Sequence, residues 1–329
     1  MLTKFNQYLR AQIGSIDYRR IVITVTTIIF VPILICSLLA YLATFDRSLE
    51  LMTHFRFQYL ICGIFSIIVY AIKKYRIGIL LALFCIGLNA IEIFPWYLPI
   101  NHESDRNLRV MTSNIMTSNQ RYEDFISFVR TTNPEVLVVM EIDLNWQQHL
   151  ESLKLLLPYT LIKPSTDNFG IGIFSKFPLT TPQERYWGHG LAVVSSLTTN
   201  VQVIDREITL IATHPVPPSN EEYFNSRNSH VEEMSDFINK LGNEAIVMGD
   251  LNMSMWSPYY RNFVDRSHLT NTRQGFGIQP SWPVNLPLLQ IPIDHCLITS
   301  KIKVSNNWLG KDIGSDHYPL IADLVIPKS

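Results

Sequence analysis

From Ile21 to Ala43 the chain runs 23 residues without a charged side chain. A helix of that length crosses a hydrocarbon core of ~30 Å, so a membrane part is expected before anything else is read. A cleaved signal peptide is the other reading of such a run. It is disfavoured because Tyr41 stands where a small residue is wanted before a cut after Ala43, and because two more apolar runs follow, Phe57 to Ile72 and Ile77 to Phe94. Lys73, Lys74, Tyr75 and Arg76 alone separate those two, the pattern of a tight basic turn between antiparallel helices. Three spans are expected, at 21–43, 57–72 and 77–94, with Asn89 and Glu92 near the interfacial end of the third.

Orientation follows from the cations. Lys4, Arg10, Arg19 and Arg20 precede the first run and Lys73, Lys74 and Arg76 follow the second, against Arg47 and Arg56 between them. Positive charge stays on the cytoplasmic side, so the amino terminus and the basic turn are expected inside. With three spans the remainder emerges outside, as a periplasmic or extracellular domain of a bacterial inner-membrane protein. Pro95, Trp96, Tyr97 and Pro99 suit an interfacial linker, dividing a membrane anchor at 1–100 from a second domain at 101–329.

The net charge of −1 hides an asymmetry. Nine Lys and Arg against four Asp and Glu precede Asn101, leaving +5, whereas 18 against 24 follow, leaving −6. An acidic domain gains little attraction to phosphate backbones, so tight non-specific binding to nucleic acid is not expected. Cys36, Cys62 and Cys85 lie in the apolar runs and Cys296 stands alone beyond them, so that domain has no internal disulfide.

Past residue 105, short Val/Ile-rich runs alternate with stretches of helical periodicity, the pattern of a layered α/β domain. Leu108–Ile115 and Val136–Ile142 read as strands, Tyr122–Arg130 and Trp146–Leu157 as helices. Gly170–Ser175, Leu191–Leu197, Val201–Ile204 and Ile208–His214 read as strands joined by short turns, which implies antiparallel pairing and a mixed sheet. A helix from Glu221 to Leu241 leads into the strand Glu244–Gly249, and Ile293–Thr299, Ile302–Asn306 and His317–Val325 close the domain.

Polar residues cluster where these strands end. Met248-Gly249-Asp250-Leu251-Asn252 presents a carboxylate and a carboxamide at i and i+2, on one side of a strand terminus, although Gly-Asp-x-Asn also suits an ordinary turn. Gly314-Ser315-Asp316-His317 sets a carboxylate beside an imidazole, and Asp294 opens a strand where it can hold the His317 ring in one tautomer or serve as a strand cap. Glu141 follows five apolar residues, Asn114 ends Met111-Thr112-Ser113, and His214 ends Ile208–Thr213 with Pro215 fixing the exit. Each alone reads equally well as a loop or cap residue. Six strand ends supplying Asn, Glu, His, Asp/Asn, Asp and Asp/His are another matter.

This ordered set resembles the endonuclease/exonuclease/phosphatase superfamily, over about Leu108 to Ile326. The resemblance implies a four-layer α/β/β/α sandwich of two mixed sheets with the site at one end. It further implies Glu141 as the principal Mg²⁺ ligand, with Asn114 and Asp316 completing the metal shell. Asp250 would activate the attacking water, Asn252 would hydrogen-bond the phosphate, His317 oriented by Asp294 would contact the scissile phosphate, and His214 would bind phosphate or protonate the leaving group. Oxygen-rich ligands suit a hard cation such as Mg²⁺ or Mn²⁺, and the reaction expected is in-line hydrolysis of a phosphate ester.

One branch of the superfamily has an acidic ligand two residues after the first Asn, where this chain has Met116; Asn119 is the nearby substitute. Asn168, with Gly170 before a strand similar to one at the superfamily's cleft, and Arg227, on a helix with His230, are further candidates for holding substrate, against tight sheet packing for Gly170 and an ion-paired helix face for Arg227. His295 reads as a strand residue, and of Trp256, Tyr259 and Tyr260 two are expected in the core, with stacking on a base or contact with lipid the other reading. The expected protein is a membrane-anchored, extracytoplasmic phosphoesterase, acting as a nuclease or on lipid head groups. The competing class is a membrane interaction protein that keeps the fold without turnover.

Overall fold

The computed structural model describes residues 17–99, 105–190 and 192–328; Lys4 and Arg10 of the orientation argument, and Leu191 of an expected strand, lie outside them. Four helices come first: α1 (Tyr18–Leu39), α2 (Arg47–Thr53), α3 (Arg56–Ile72) and α4 (Arg76–Ile93). Two stretches, Tyr18–Leu42 and Arg76–Tyr97, are long and apolar enough to cross a membrane. The expected middle span is the 17-residue α3. It counts as a span only together with α2, from which it is bent by 63°, so the described residues hold two such helices, or three if the bent pair is one. Arg47 and Glu50 of α2 face the folded domain, Arg47 on the Pro218 and Ser219 carbonyls and Glu50 on Arg227.

Phe30, Leu34, Tyr70, Ala82 and Cys85 knit α1, α3 and α4 together. Asn89, expected at the interface, is instead buried between helices, its Nδ2 donating to Ser37 Oγ and to the Cys85 carbonyl, both at 2.8 Å. The helical bundle then runs straight onto the domain. Gly275 and Gly277 N–H both donate to the Trp96 carbonyl, at 3.1 and 2.9 Å, and Ile93, Phe57, Leu60 and Trp96 share a cluster with Trp256, Tyr260 and Phe263. Trp256 and Tyr260 are thus core residues, with Tyr259 packed beside them.

The domain has two six-stranded mixed sheets. Its strands are β1 (Leu108–Asn114), β2 (Val136–Met140), β3 (Tyr159–Lys163), β4 (Ile171–Ser175), β5 (Thr180–Trp187), β6 (Val194–Val203), β7 (Arg206–Ala212), β8 (Glu244–Asp250), β9 (Leu269–Asn271), β10 (Asp294–Thr299), β11 (Lys303–Leu309) and β12 (Leu320–Val325). One sheet runs β11-β12-β1-β2-β4-β3 and the other β5-β6-β7-β8-β10-β9. β1 pairs with β2, and β7 with β8, in parallel; every other pair is antiparallel. The two runs expected at 191–197 and 201–204 form one strand, β6, because the turn expected between them is absent.

Side-chain alternation builds the layers. Val136, Val138 and Met140 face Ile246 and Met248 of the opposite sheet, while Leu137 and Val139 face α5 (Tyr122–Thr132) and α6 (Leu144–Leu150). Val247 turns the other way, onto α7 (Glu221–Ile238) and α8 (Pro258–Arg266). Sheets covered on both faces need apolar residues at every position. That is why β2 and β8 read as continuous apolar runs, and the result is the expected α/β/β/α sandwich. Helix starts are set locally: Asp143 Oδ1 accepts from Trp146 N at 2.7 Å and Asn220 Oδ1 from Tyr223 N at 2.8 Å.

Candidate active site

Each strand-end residue sits where its strand leaves the sandwich, so the buried apolar runs deliver polar side chains to one end of it. Gly249 enables the closest approach: a Cβ there would lie 1.8 Å from the Thr213 carbonyl oxygen. Only glycine lets β8 pass so near the end of β7, and this sets Asp250 beside His214. Two non-glycine residues of the set, Glu141 (φ 66°) and Asn252 (φ 51°), hold left-handed backbone, a cost that functional sites carry when the surrounding structure enforces it.

On the first sheet's side, Asn114 Nδ2 donates to Glu141 Oε1 at 2.9 Å and Thr117 N–H to Glu141 Oε2 at 3.0 Å. Ser315 Oγ donates to the Asn114 carbonyl at 2.8 Å and accepts from His317 N–H at 3.0 Å, tying the Asp316–His317 loop to β1. Trp282 Nε1 donates to Asp316 Oδ2 at 2.9 Å. On the second sheet, Asp250 and Asp294 are register partners of the antiparallel pair β8–β10. His317 Nδ1 is 2.9 Å from Asp294 Oδ2, and Asp250 Oδ2 lies 3.7 Å from both His317 Nε2 and His214 Nε2.

The charges are coupled. Burial favours a neutral His317 ring, but Asp294 and then Asp250 outweigh it and push the imidazole up to about 9. Burial likewise opposes a charged Asp294, yet His317 holds that carboxyl below its usual value. For Asp250, burial and the Asp294 charge together push the carboxyl up to about 8. Burial lowers His214 and keeps it neutral, with its Nδ1 lacking a hydrogen-bond partner.

These side chains line a cavity of 640 Å³. Asn114, Glu141, Asn168, His214, Asp250, Asn252, Asp316 and His317 all face it, with Asp294 immediately behind His317. Arg227 does not. It is fully buried, donates through one terminal nitrogen to the Asn252 carbonyl at 2.9 Å, and pairs through the other with Glu50 at 3.3 Å. The expectation that it binds substrate is corrected by this burial, since no face of the guanidinium reaches the cavity. Asn119 is likewise engaged elsewhere, with Nδ2 on the Ile115 and Ile313 carbonyls at 3.1 and 3.2 Å. His230 and His295 are buried and pushed down to about 3, the first by burial and His214, the second by burial and Arg273.

Sequence reasoning missed Leu51, His54, Asp167, Phe169, Trp282, Ile291 and Ile293 of the lining. Leu51 and His54 come from α2 and its cap, among the amino-terminal helices.

The donor chemistry fits a divalent cation. Four carboxylates converge with no Lys or Arg among the described residues that line the cavity, and an anion-rich, oxygen-donor pocket suits a hard ion. One carboxylate and imidazole group, Asp250, Asp294 and His317, has ligand atoms within 4.8 Å of one another.

A two-sheet sandwich with such a strand-end cluster defines a phosphoesterase class. Residues 111–317 match the Endonuclease/Exonuclease/phosphatase family, and the chain belongs to it. Its members are hydrolases of phosphoester bonds, typically dependent on a divalent metal. Solved structures agree in fold. A family protein from Leptotrichia buccalis C-1013-b is 13% identical with a TM-score of 0.56, covering 66% of this chain and 99% of that one. TDP2 from D. rerio, complexed with a single-strand DNA product, is 14% identical with a TM-score of 0.57, covering 66% and 98%. A beta toxin from Staphylococcus aureus is 16% identical with a TM-score of 0.53, covering 66% and 99%. No curated protein sequence matches the chain.

Proposed function

We propose that the protein is a Mg²⁺- or Mn²⁺-dependent phosphodiesterase that cleaves a lipid-borne phosphate ester at the outer surface of the membrane holding it. The observation that carries this reading is the wall of the cavity contributed by Leu51 and His54 of α2, which places the polar floor of the site beside the ends of the apolar helices. Phe169, Pro217, Pro218, Trp282, Ile291 and Ile293 add apolar surface suited to a hydrophobic substrate. Leu286, Leu288 and Leu289 are exposed on the adjoining loop, where the Gln290 carbonyl accepts from Gln58 Nε2 of α3 at 2.8 Å.

Sidedness is supported by the two ends of the bundle. Arg19 Nε donates to the Lys73 carbonyl at 2.9 Å, gathering Arg19, Arg20, Lys73, Lys74 and Arg76 at one end. Glu92, Trp96 and Gln58 contact the domain at the other. With the basic end inside, residues 105–328 lie outside.

In this reading Glu141, Asn114 and Asp316 hold the cation, because the Asp294–His317 hydrogen bond already occupies the closest pair of the alternative group. Bound there, a divalent cation would supply neutralisation of phosphate charge. Asp250 takes the proton of the attacking water on Oδ2, the oxygen set between two imidazoles, and the proton passes by way of His214 to the leaving oxygen as the ester bond breaks. His317, kept protonated by Asp294, donates through Nε2 to a phosphate oxygen. Neutral His214 and Asn252 orient the ester from the opposite wall, and Asn168 reaches the exposed rim.

The test uses full-length protein in vesicles of labelled phospholipid, with single-stranded DNA as the rival substrate and with Mg²⁺, Mn²⁺ or chelator. Metal-dependent release of a water-soluble phosphorylated head group, lost in Glu141→Ala, is the expected result. Release of nucleotides alone would replace lipid by nucleic acid, and release of neither would overturn the reading.

A further inference from the structure

The loops that carry the site are gripped from the membrane side. Arg47, at the start of α2, donates to the Pro218 and Ser219 carbonyls at 3.0 and 3.2 Å, and both residues line the cavity just beyond His214. One turn on, Glu50 is fully buried and pairs with Arg227 of α7 at 3.3 Å. Arg227 in turn donates to the Asn252 carbonyl at 2.9 Å. His54 closes the ring: its Nε2 is 3.5 Å from Glu50 and its Nδ1 2.8 Å from Ser254 Oγ.

We propose that α2 is a working part of the active site, in which Glu50, His54 and Arg227 are positioning residues for the Asp250–Ser254 segment and Leu51 forms the substrate-facing wall. Asn252 holds left-handed backbone at φ 51°, a conformation that persists only when its surroundings enforce it. The enforcing contacts are few: Asn252 N–H to Asp250 Oδ1, Asn252 Nδ2 to the Pro215 carbonyl, and Arg227 to the Asn252 carbonyl. Among the described residues the last is the one that leads to α2, through a completely buried ion pair. A buried carboxylate and guanidinium are costly to keep apart, so the position of α2 and the shape of the 250–254 segment are set together. Hydrolysis therefore depends on a helix that the soluble sandwich does not contain.

This inference rests on reading the cavity as the site of ester hydrolysis, and its test separates the two. Full-length protein in lipid nanodiscs carries Glu50→Leu with Arg227→Met, which removes both charges while keeping apolar bulk, or Arg227→Lys, which keeps the charge. The double variant is expected to melt within a few degrees of wild type, to lose roughly 10–100-fold in kcat, and to keep KM within about twofold. Arg227→Lys should recover part of the loss, as a purely packing role would not require.

Hydrogen–deuterium exchange gives a second readout independent of turnover: amides 250–254 should exchange faster in the double variant. Should that variant not fold, Leu51→Trp, a change on the cavity wall, should raise KM roughly tenfold or more without lowering the melting temperature. Wild-type kcat together with wild-type exchange in a folded double variant, or an unchanged KM in Leu51→Trp, would overturn the inference. A wild-type protein inactive on every phosphate ester, yet showing the exchange difference, would overturn the functional reading and leave the coupling standing.

Discussion

His317 Nδ1 lies 2.9 Å from Asp294 Oδ2, and this contact commits the opposite ring nitrogen to face Asp250 across 3.7 Å. The first residue of β10 thus determines which ring atom of a loop histidine faces Asp250. Asp294→Asn keeps the shape but loses the charge and permits the wrong tautomer, so kcat should fall on the order of 10²–10⁴-fold while the protein stays folded. Steady-state rates beside circular dichroism check this; a loss under fivefold would remove Asp294 from the mechanism.

The same contact makes stability pH-dependent. His317 is raised to about 9 in the folded protein from an ordinary 6.5, so its stabilisation is complete below 6.5 and disappears as pH rises through about 9. Melting of metal-free protein between pH 6 and 10 should show that decline, and the Asp294→Asn variant should show a flatter curve. Parallel curves would contradict the assignment.

Asp250, pushed up to about 8 by burial and by Asp294, opposes ionisation until a cation enters the cavity. Metal binding should therefore release a proton and weaken as pH falls. At 100-fold excess over Kd, Mg²⁺ is expected to raise the melting temperature by roughly 5–10 °C relative to chelated protein. Calorimetric titration in two buffers of different ionisation enthalpy counts the proton; identical heats would mean none is released.

Glu141 sets function against stability. Its φ of 66° is left-handed, which costs a non-glycine residue about 1–2 kcal/mol. Glu141→Gly should abolish hydrolysis while leaving chelated protein within about 1 kcal/mol of wild type, because relief of strain offsets the lost hydrogen bonds to Asn114 and Thr117. A folded variant retaining more than a tenth of wild-type activity would show that Glu141 is not a metal ligand.

Orientation is open to a direct measurement. Alkaline phosphatase fused after Ser329 should be active in cells, because residues 105–328 lie at the end of the bundle opposite Lys73 and Lys74. An inactive fusion beside an active cytoplasmic reporter at the same point would reverse the topology.

The layers, and the strand-end residues that line the cavity, were legible in the amino-acid pattern. Strands such as Val136–Met140 are buried on both faces, so every position is apolar and the first polar residue marks where the strand leaves the core. Glu141, Asp250, Asp294 and His214 were legible because sandwich geometry gathers strand ends at one place. The features that were not legible depend on partners far apart in the chain. Arg227 and Glu50 are 177 residues apart, and nothing in either local pattern tells a buried ion pair from a solvated charge. Leu51, His54 and Trp282 carried no motif for the same reason: a cavity wall needs shape and surface, which spacing does not encode. The middle apolar run met the same limit, because its bend against α2 answers to the domain it packs on rather than to its own composition.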